Sequence, residues 1–266
     1  MNIENLELSI LLPAFLAGLL VLATHVPLGQ QVLNRGIVFI DLAVAQVAGL
    51  GVTAASAAGF EAEGWRVQAA AVAAALLGAL VLTWTEKIWP EVQEALIGVL
   101  FVVAACVELI LLANNPHGGE HLKDLLVGQI LWVSPTKLIP VAILYALALA
   151  VWFGFRARMG RIGFYVLFAL VVTQSVQLVG IYLVFASLIV PALAAKRFAE
   201  PIRLAIGYAV GLVGYLAGLV ASSLFDLPTG AVIVVALLAT FVVTVLAASV
   251  APRAVRAAPA PSATHA

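Results

Sequence analysis

One carboxylate, Asp41, and one amide, Gln46, interrupt an otherwise apolar stretch, RGIVFIDLAVAQVAGLG at 35–51. An ionisable group inside a membrane helix is expensive and marks an ion or substrate pathway by default. On a helix the two positions are separated by about 500° of rotation, and so lie roughly 140° apart around the axis. They do not share a narrow face, so one can line a cavity while the other packs between helices. Two readings compete: a polar pair making interhelical hydrogen bonds, and a cation-pathway residue with a neighbour. The cost of Asp41 favours the second.

Further polar groups lie in NNPHGGEHLKDLLVGQILWVSP, 114–135, where His117, Glu120 and His121 offer two imidazoles and a carboxylate. Those donors suit zinc and other first-row divalent ions. As plain text His117 to His121 also matches an H-x-x-E-H zinc-hydrolase pattern, which needs a helix to bring both imidazoles to one face. Pro116, Gly118 and Gly119 argue against that helix, leaving an ordinary polar loop or a metal-entry site. Glu108, in VVAACVELILL, is expected to snorkel or to bond a neighbouring helix. His25, ahead of Pro27 and Gly29, reads as a capping or interfacial histidine, and Cys106 as a buried structural thiol.

The elements that must position these groups are membrane helices. Of the 266 residues 64% are hydrophobic and 10% charged, whereas soluble domains carry about 25% charged residues. Apolar runs suggest spans near 8–28, 37–58, 67–84, 95–113, 137–155, 163–178, 180–195, 204–223 and 231–250, giving an all-α bundle of eight or nine crossings in one transmembrane domain over 1–250. The Pro/Ala-rich tail at 251–266 reads as disordered and cytoplasmic. A formal net charge of zero gives no field to attract nucleic acid.

Lys and Arg concentrate in cytoplasmic loops. Arg156, Arg158 and Arg161 mark one such loop and Lys196, Arg197 and Arg203 another; Arg35 and Lys87 agree. The segment 162–195 must therefore cross an even number of times. It is barely long enough for two crossings, so a short helix pair meeting at a turn, or a broken re-entrant segment, is expected around Gly180. Gly207, Gly211, Gly214 and Gly218 have the small-xxx-small spacing that lets helices approach closely. In QLVGIYLVFASLIVPALAAKRFAEPIRL, 177–204, an Ala-rich basic stretch between Pro191 and Pro201 reads as a short amphipathic helix on the cytoplasmic surface. Such a helix lies on headgroups or docks in a partner's groove.

Here the chain resembles the metal-type ABC transporter permeases, the zinc, manganese and iron importers. The resemblance rests on LVGIYLVFASLIVPALAAKRFA, with PLGQQVLNRGIVFIDLAVAQVAGLG at 27–51, EALIGVLFVVAA at 94–105 and LLVGQILWVSP at 125–135, and covers about residues 10–250. It implies a homodimer around a central path in the cell (inner) membrane, two cytoplasmic ATPases and an outer solute-binding protein. It makes 191–203, with Pro191, Lys196, Arg197 and Arg203, the ATPase-coupling segment, and sets Asp41 and Gln46 on the helix that lines the metal path. The family commonly reads G-D-A-L-x-H there; in this chain Gln46 takes the histidine's place and Asp41 falls one residue early. Gln is a neutral, hard oxygen ligand and a poor match for zinc.

No phosphate-binding G-x-x-x-x-G-K-[ST] loop occurs, so ATP hydrolysis belongs to another polypeptide. The expected function is a transport subunit, not an enzyme, that binds no cofactor and passes a divalent metal ion. The alternative is a secondary transporter or channel that works without an ATPase, with Asp41 and Glu108 as a cation relay. An intramembrane enzyme has no Ser/His or paired-carboxylate arrangement in the spans to support it.

Overall fold

A computed structural model describes residues 8–60, 64–112, 126–155 and 158–250. Nine α-helices can be followed among the described residues: α1 (Leu8–Arg35), α2 (Ile40–Ala57), α3 (Trp65–Ile88), α4 (Gln93–Leu112), α5 (Pro135–Phe155), α6 (Arg161–Val179), α7 (Ile181–Ala195), α8 (Glu200–Phe225) and α9 (Thr229–Val250). No strand occurs among them. Eight are long and apolar enough to cross a bilayer. The exception, α7, has 15 residues. At 1.5 Å per residue it is about 22 Å long, short of a hydrocarbon core of about 30 Å. The expected eight or nine spans thus resolve into eight full-length helices and one short one.

The first helix overruns its expected end at residue 28 and continues to Arg35 through Pro27. A proline inside a helix leaves the carbonyl four residues earlier without its N–H partner. That carbonyl belongs to Ala23, and the Tyr208 hydroxyl of α8 donates to it at 2.9 Å. Repair by a neighbouring helix is how membrane helices tolerate proline. His25 is therefore neither a cap nor interfacial: it is fully buried in mid-helix, and its Nδ1 meets the Val21 carbonyl at 2.9 Å.

Packing divides between two centres. Helix α2 lies against α3, α4 and α6, while α1 lies against α7, α8 and α5. Small residues set the close approaches. A Cβ on Gly207 or Gly211 would strike Val26 or Leu22 of α1, and one on Gly214 or Gly218 would strike Leu237 or Ile233 of α9. The glycine stripe of α8 thus serves two partners, each with its own small-xxx-small pair. Helices α4 and α9 are mostly exposed, through apolar side chains such as Val99, Ile110, Val235 and Val243. A bilayer is the solvent that such a surface requires. Cys106 lies on this exposed side of α4, which corrects the expectation of a buried thiol; a small apolar side chain satisfies either a core or lipid.

One end of the bundle gathers the charges expected to be cytoplasmic. The Arg35 guanidinium lies 4.2 Å from the centre of the Phe164 ring. Arg161 Nε lies 3.7 Å from the Glu86 carboxylate, joining the start of α6 to the end of α3. At the opposite end α6 and α7 meet at Gly180, whose φ of 81° and ψ of 162° favour glycine. The backbone of Val127 and Gly128 presses on this break, leaving no room for a Cβ on either glycine. Non-helical backbone at membrane depth is tolerated only where protein or water covers it.

Candidate functional site

Asp41 occupies the first turn of α2 and is 0% exposed. The open N–H groups of a first turn favour a carboxylate there. The amides of Asp41 and Leu42 face it in that sense, yet neither carboxylate oxygen completes a hydrogen bond. A buried carboxyl left unpaired is costly, so its retention asks for a reason beyond packing.

A second carboxylate, Glu94, stands in the first turn of α4. One of its oxygens accepts the Phe39 N–H at 3.2 Å, just ahead of α2, while Oε2 is enclosed without a partner. That bond sets the Glu94 carboxylate at the residue ahead of α2, one turn or less from Asp41 in the chain. Phe39 in turn stacks on Phe185 of α7, with ring centroids 6.1 Å apart and planes within 10° of parallel. Glu94 was not singled out from sequence. The signal was available: Glu94 follows the break at Pro90 in the first turn of a helix, and its carboxylate precedes an apolar run.

Gln46 is in a different place. Its Nε2 donates to Oε2 of Glu108, and Thr53 Oγ1 donates to Oε1 of the same carboxyl at 2.8 Å. Gln46, Thr53 and Glu108 are all buried, and together they tie α2 to the C-terminal half of α4. Glu108 therefore bonds a neighbouring helix, one of the two expected outcomes, and does not snorkel. Asp41 and Gln46 thus serve two separate polar centres along α2. His117, Glu120 and His121 lie outside the described residues. Among those described, no group of three or more His, Cys, Asp or Glu side chains is arranged to hold a metal.

The stretch 191–203 differs from the amphipathic surface helix expected. Pro191 is a buried residue inside α7, which runs to Ala195. A tight turn follows, with Lys196 and Arg197 exposed and Phe198 buried, before α8 begins at Glu200. Arg203 donates from Nε to the Phe198 carbonyl at 2.9 Å, bracing the turn. The run is too apolar before Lys196 to stay on a surface, so its first half joins the bundle and only the turn is presented.

The sequence profile of the ABC 3 transport family matches this chain over residues 7–162 and 148–248. The chain belongs to that family. It is 24% identical over 251 residues to the high-affinity zinc uptake system membrane protein ZnuB of Haemophilus influenzae, covering 85% of this chain and 93% of that protein. It is 27% identical over 185 residues to the manganese transport system membrane protein MntC of Halalkalibacterium halodurans, covering 62% of this chain and 63% of that protein's length. Its fold resembles PsaBC from Streptococcus pneumoniae, solved in complex with Fab, with a TM-score of 0.74 at 20% identity over 93% of this chain and 94% of that one. As an ABC 3 family member with eight membrane-length apolar helices, it is a multi-pass inner-membrane protein of a transport-subunit family. The blocks that carried the resemblance occupy defined places: EALIG opens α4, the 125–135 block contains the backbone seated on Gly180, and FASLIVPALAAKR is the lower part of α7 with its turn.

Proposed function

We propose that this chain is the permease subunit of an ATP-driven importer for a divalent first-row metal ion, zinc foremost, with manganese and iron in the same class. It works as a homodimer with two cytoplasmic ATPases and an extracytoplasmic metal-binding protein, and itself carries no catalytic site. The family match along nearly the whole chain carries this reading. The same match does not favour a transporter working without an ATPase.

The mechanism is alternating access. The exposed Lys196 and Arg197 offer a basic turn to the ATPase, and α7 relays its displacement through Phe185 to Phe39 at the head of α2. A divalent ion entering a low-dielectric bundle must have its hydration replaced by protein donors. The two unpaired oxygens of Asp41 are the foremost such donors. Gln46, with Nε2 engaged by Glu108, has only its carbonyl oxygen to offer an ion. A hard oxygen where the family commonly has imidazole reduces the preference for zinc over manganese.

The test is ATP-dependent accumulation of zinc, manganese or iron in vesicles carrying the permease and its ATPase, read by elemental analysis. Asp41→Ala is expected to abolish accumulation while the protein remains folded and inserted. Unchanged accumulation in that variant removes Asp41 from the path, and accumulation that needs no ATPase overturns the importer assignment.

A further inference from the structure

We propose that Asp41 and Glu94, from the first turns of α2 and α4, form a two-carboxylate binding station for a hard divalent cation near the cytoplasmic end of the bundle. This rests on reading the chain as a metal permease and adds to it a ligand, Glu94, and a ligand chemistry.

Three oxygens carry the argument. Both carboxylate oxygens of Asp41 and Oε2 of Glu94 are enclosed and without a hydrogen-bond partner. Asp41 is fully buried. The remaining oxygen of Glu94 is tied to the Phe39 N–H, which fixes the carboxylate beside the start of α2. Two carboxylates brought together without a compensating charge repel each other. Among the described residues the ion pair and ring contact of the basic groups at this end run to other partners, Arg161 to Glu86 and Arg35 to the Phe164 ring. A cation between the carboxylates supplies the missing charge. All-oxygen donors suit magnesium, calcium and manganese rather than soft metals. The helix starts also matter: Asp41 lies in the first turn of α2, where the open N–H groups favour negative charge without cancelling it.

The competing account makes Glu94 only a cap for the start of α2. Glu94→Gln separates the two, because an amide oxygen can still accept the Phe39 N–H while the charge is gone. The experiment is Mn2+ titration of the full-length chain in lipid nanodiscs, followed by electron paramagnetic resonance, with melting temperatures recorded alongside. Asp41→Asn and Glu94→Gln are each expected to weaken Mn2+ binding by at least about tenfold, since even outer-shell changes at metal sites cost that much. The melting temperatures should stay close to wild type. Wild-type Mn2+ affinity in Glu94→Gln, with instability only in Glu94→Ala, overturns the station in favour of the cap. Loss of binding in both charge-neutral variants of a permease that imports no metal would retain the station and remove the importer assignment instead.

Discussion

Glu108→Ala removes one carboxyl that accepts from two buried donors on another helix, Gln46 Nε2 and Thr53 Oγ1. In a soluble core a hydrogen bond to a charged group contributes about 1.5–3 kcal/mol. Inside membranes, measured interhelical bonds average about 0.6 and reach about 1.7 kcal/mol, because the separated helices also find partners. The membrane scale applies here, so two bonds amount to about 1–3 kcal/mol. The single variant also loses side-chain volume, which a double-mutant cycle removes from the comparison. Unfolding of wild type, Glu108→Ala, Gln46→Ala and the double variant, titrated with denaturing detergent, should give a coupling of about 1 kcal/mol between these positions. Additivity within about 0.3–0.5 kcal/mol would refute the tie between α2 and α4 and return Gln46 to the set of free path-lining groups.

Three shorter predictions concern other parts of the bundle. Tyr208→Phe strips the donor from the Ala23 carbonyl and should cost about 0.6 kcal/mol in the same unfolding assay, with no effect if water replaces it. Gly180→Ala places a Cβ 2.4 Å from the Gly128 amide at a φ of 81°, and should sharply lower the yield of folded protein in detergent. Replacing Lys196 and Arg197 by Glu should abolish stimulation of the partner ATPase while leaving melting unchanged, since both side chains are exposed; normal stimulation counts against docking at this turn.

Much of the architecture was legible because it is written in local terms. The apolar runs located every helix, and the glycine spacing of α8 announced close packing that α1 and α9 supply. Where the structure departs from the sequence reading, a distant partner or a choice between two apolar surroundings accounts for most of the difference. Pro27 looked like an end because the hydroxyl that repairs its helix sits at Tyr208. The angular separation of Gln46 from Asp41 was legible from the helix, but not its partner, Glu108 on another helix. Cys106 could face core or lipid equally well, and composition does not distinguish two apolar surroundings. Pro191 marked no boundary, because α7 continues past it into the bundle.

The contact between α1 and α7 has a mechanical meaning. At Gly29 the two helices approach so closely that a Cβ would lie 2.0 Å from the Leu188 carbonyl oxygen, so no side chain cushions the crossing. Such a crossing holds the two backbones against each other at one level. Below it, α7 carries the exposed turn at Lys196 and Arg197; above it, the same rod carries Phe185, which leans on Phe39. On the proposed coupling, a displacement received at the turn reaches Phe185, and through Phe39 the head of α2, only past this close crossing. Filling Gly29 would force α1 and α7 apart and loosen that link.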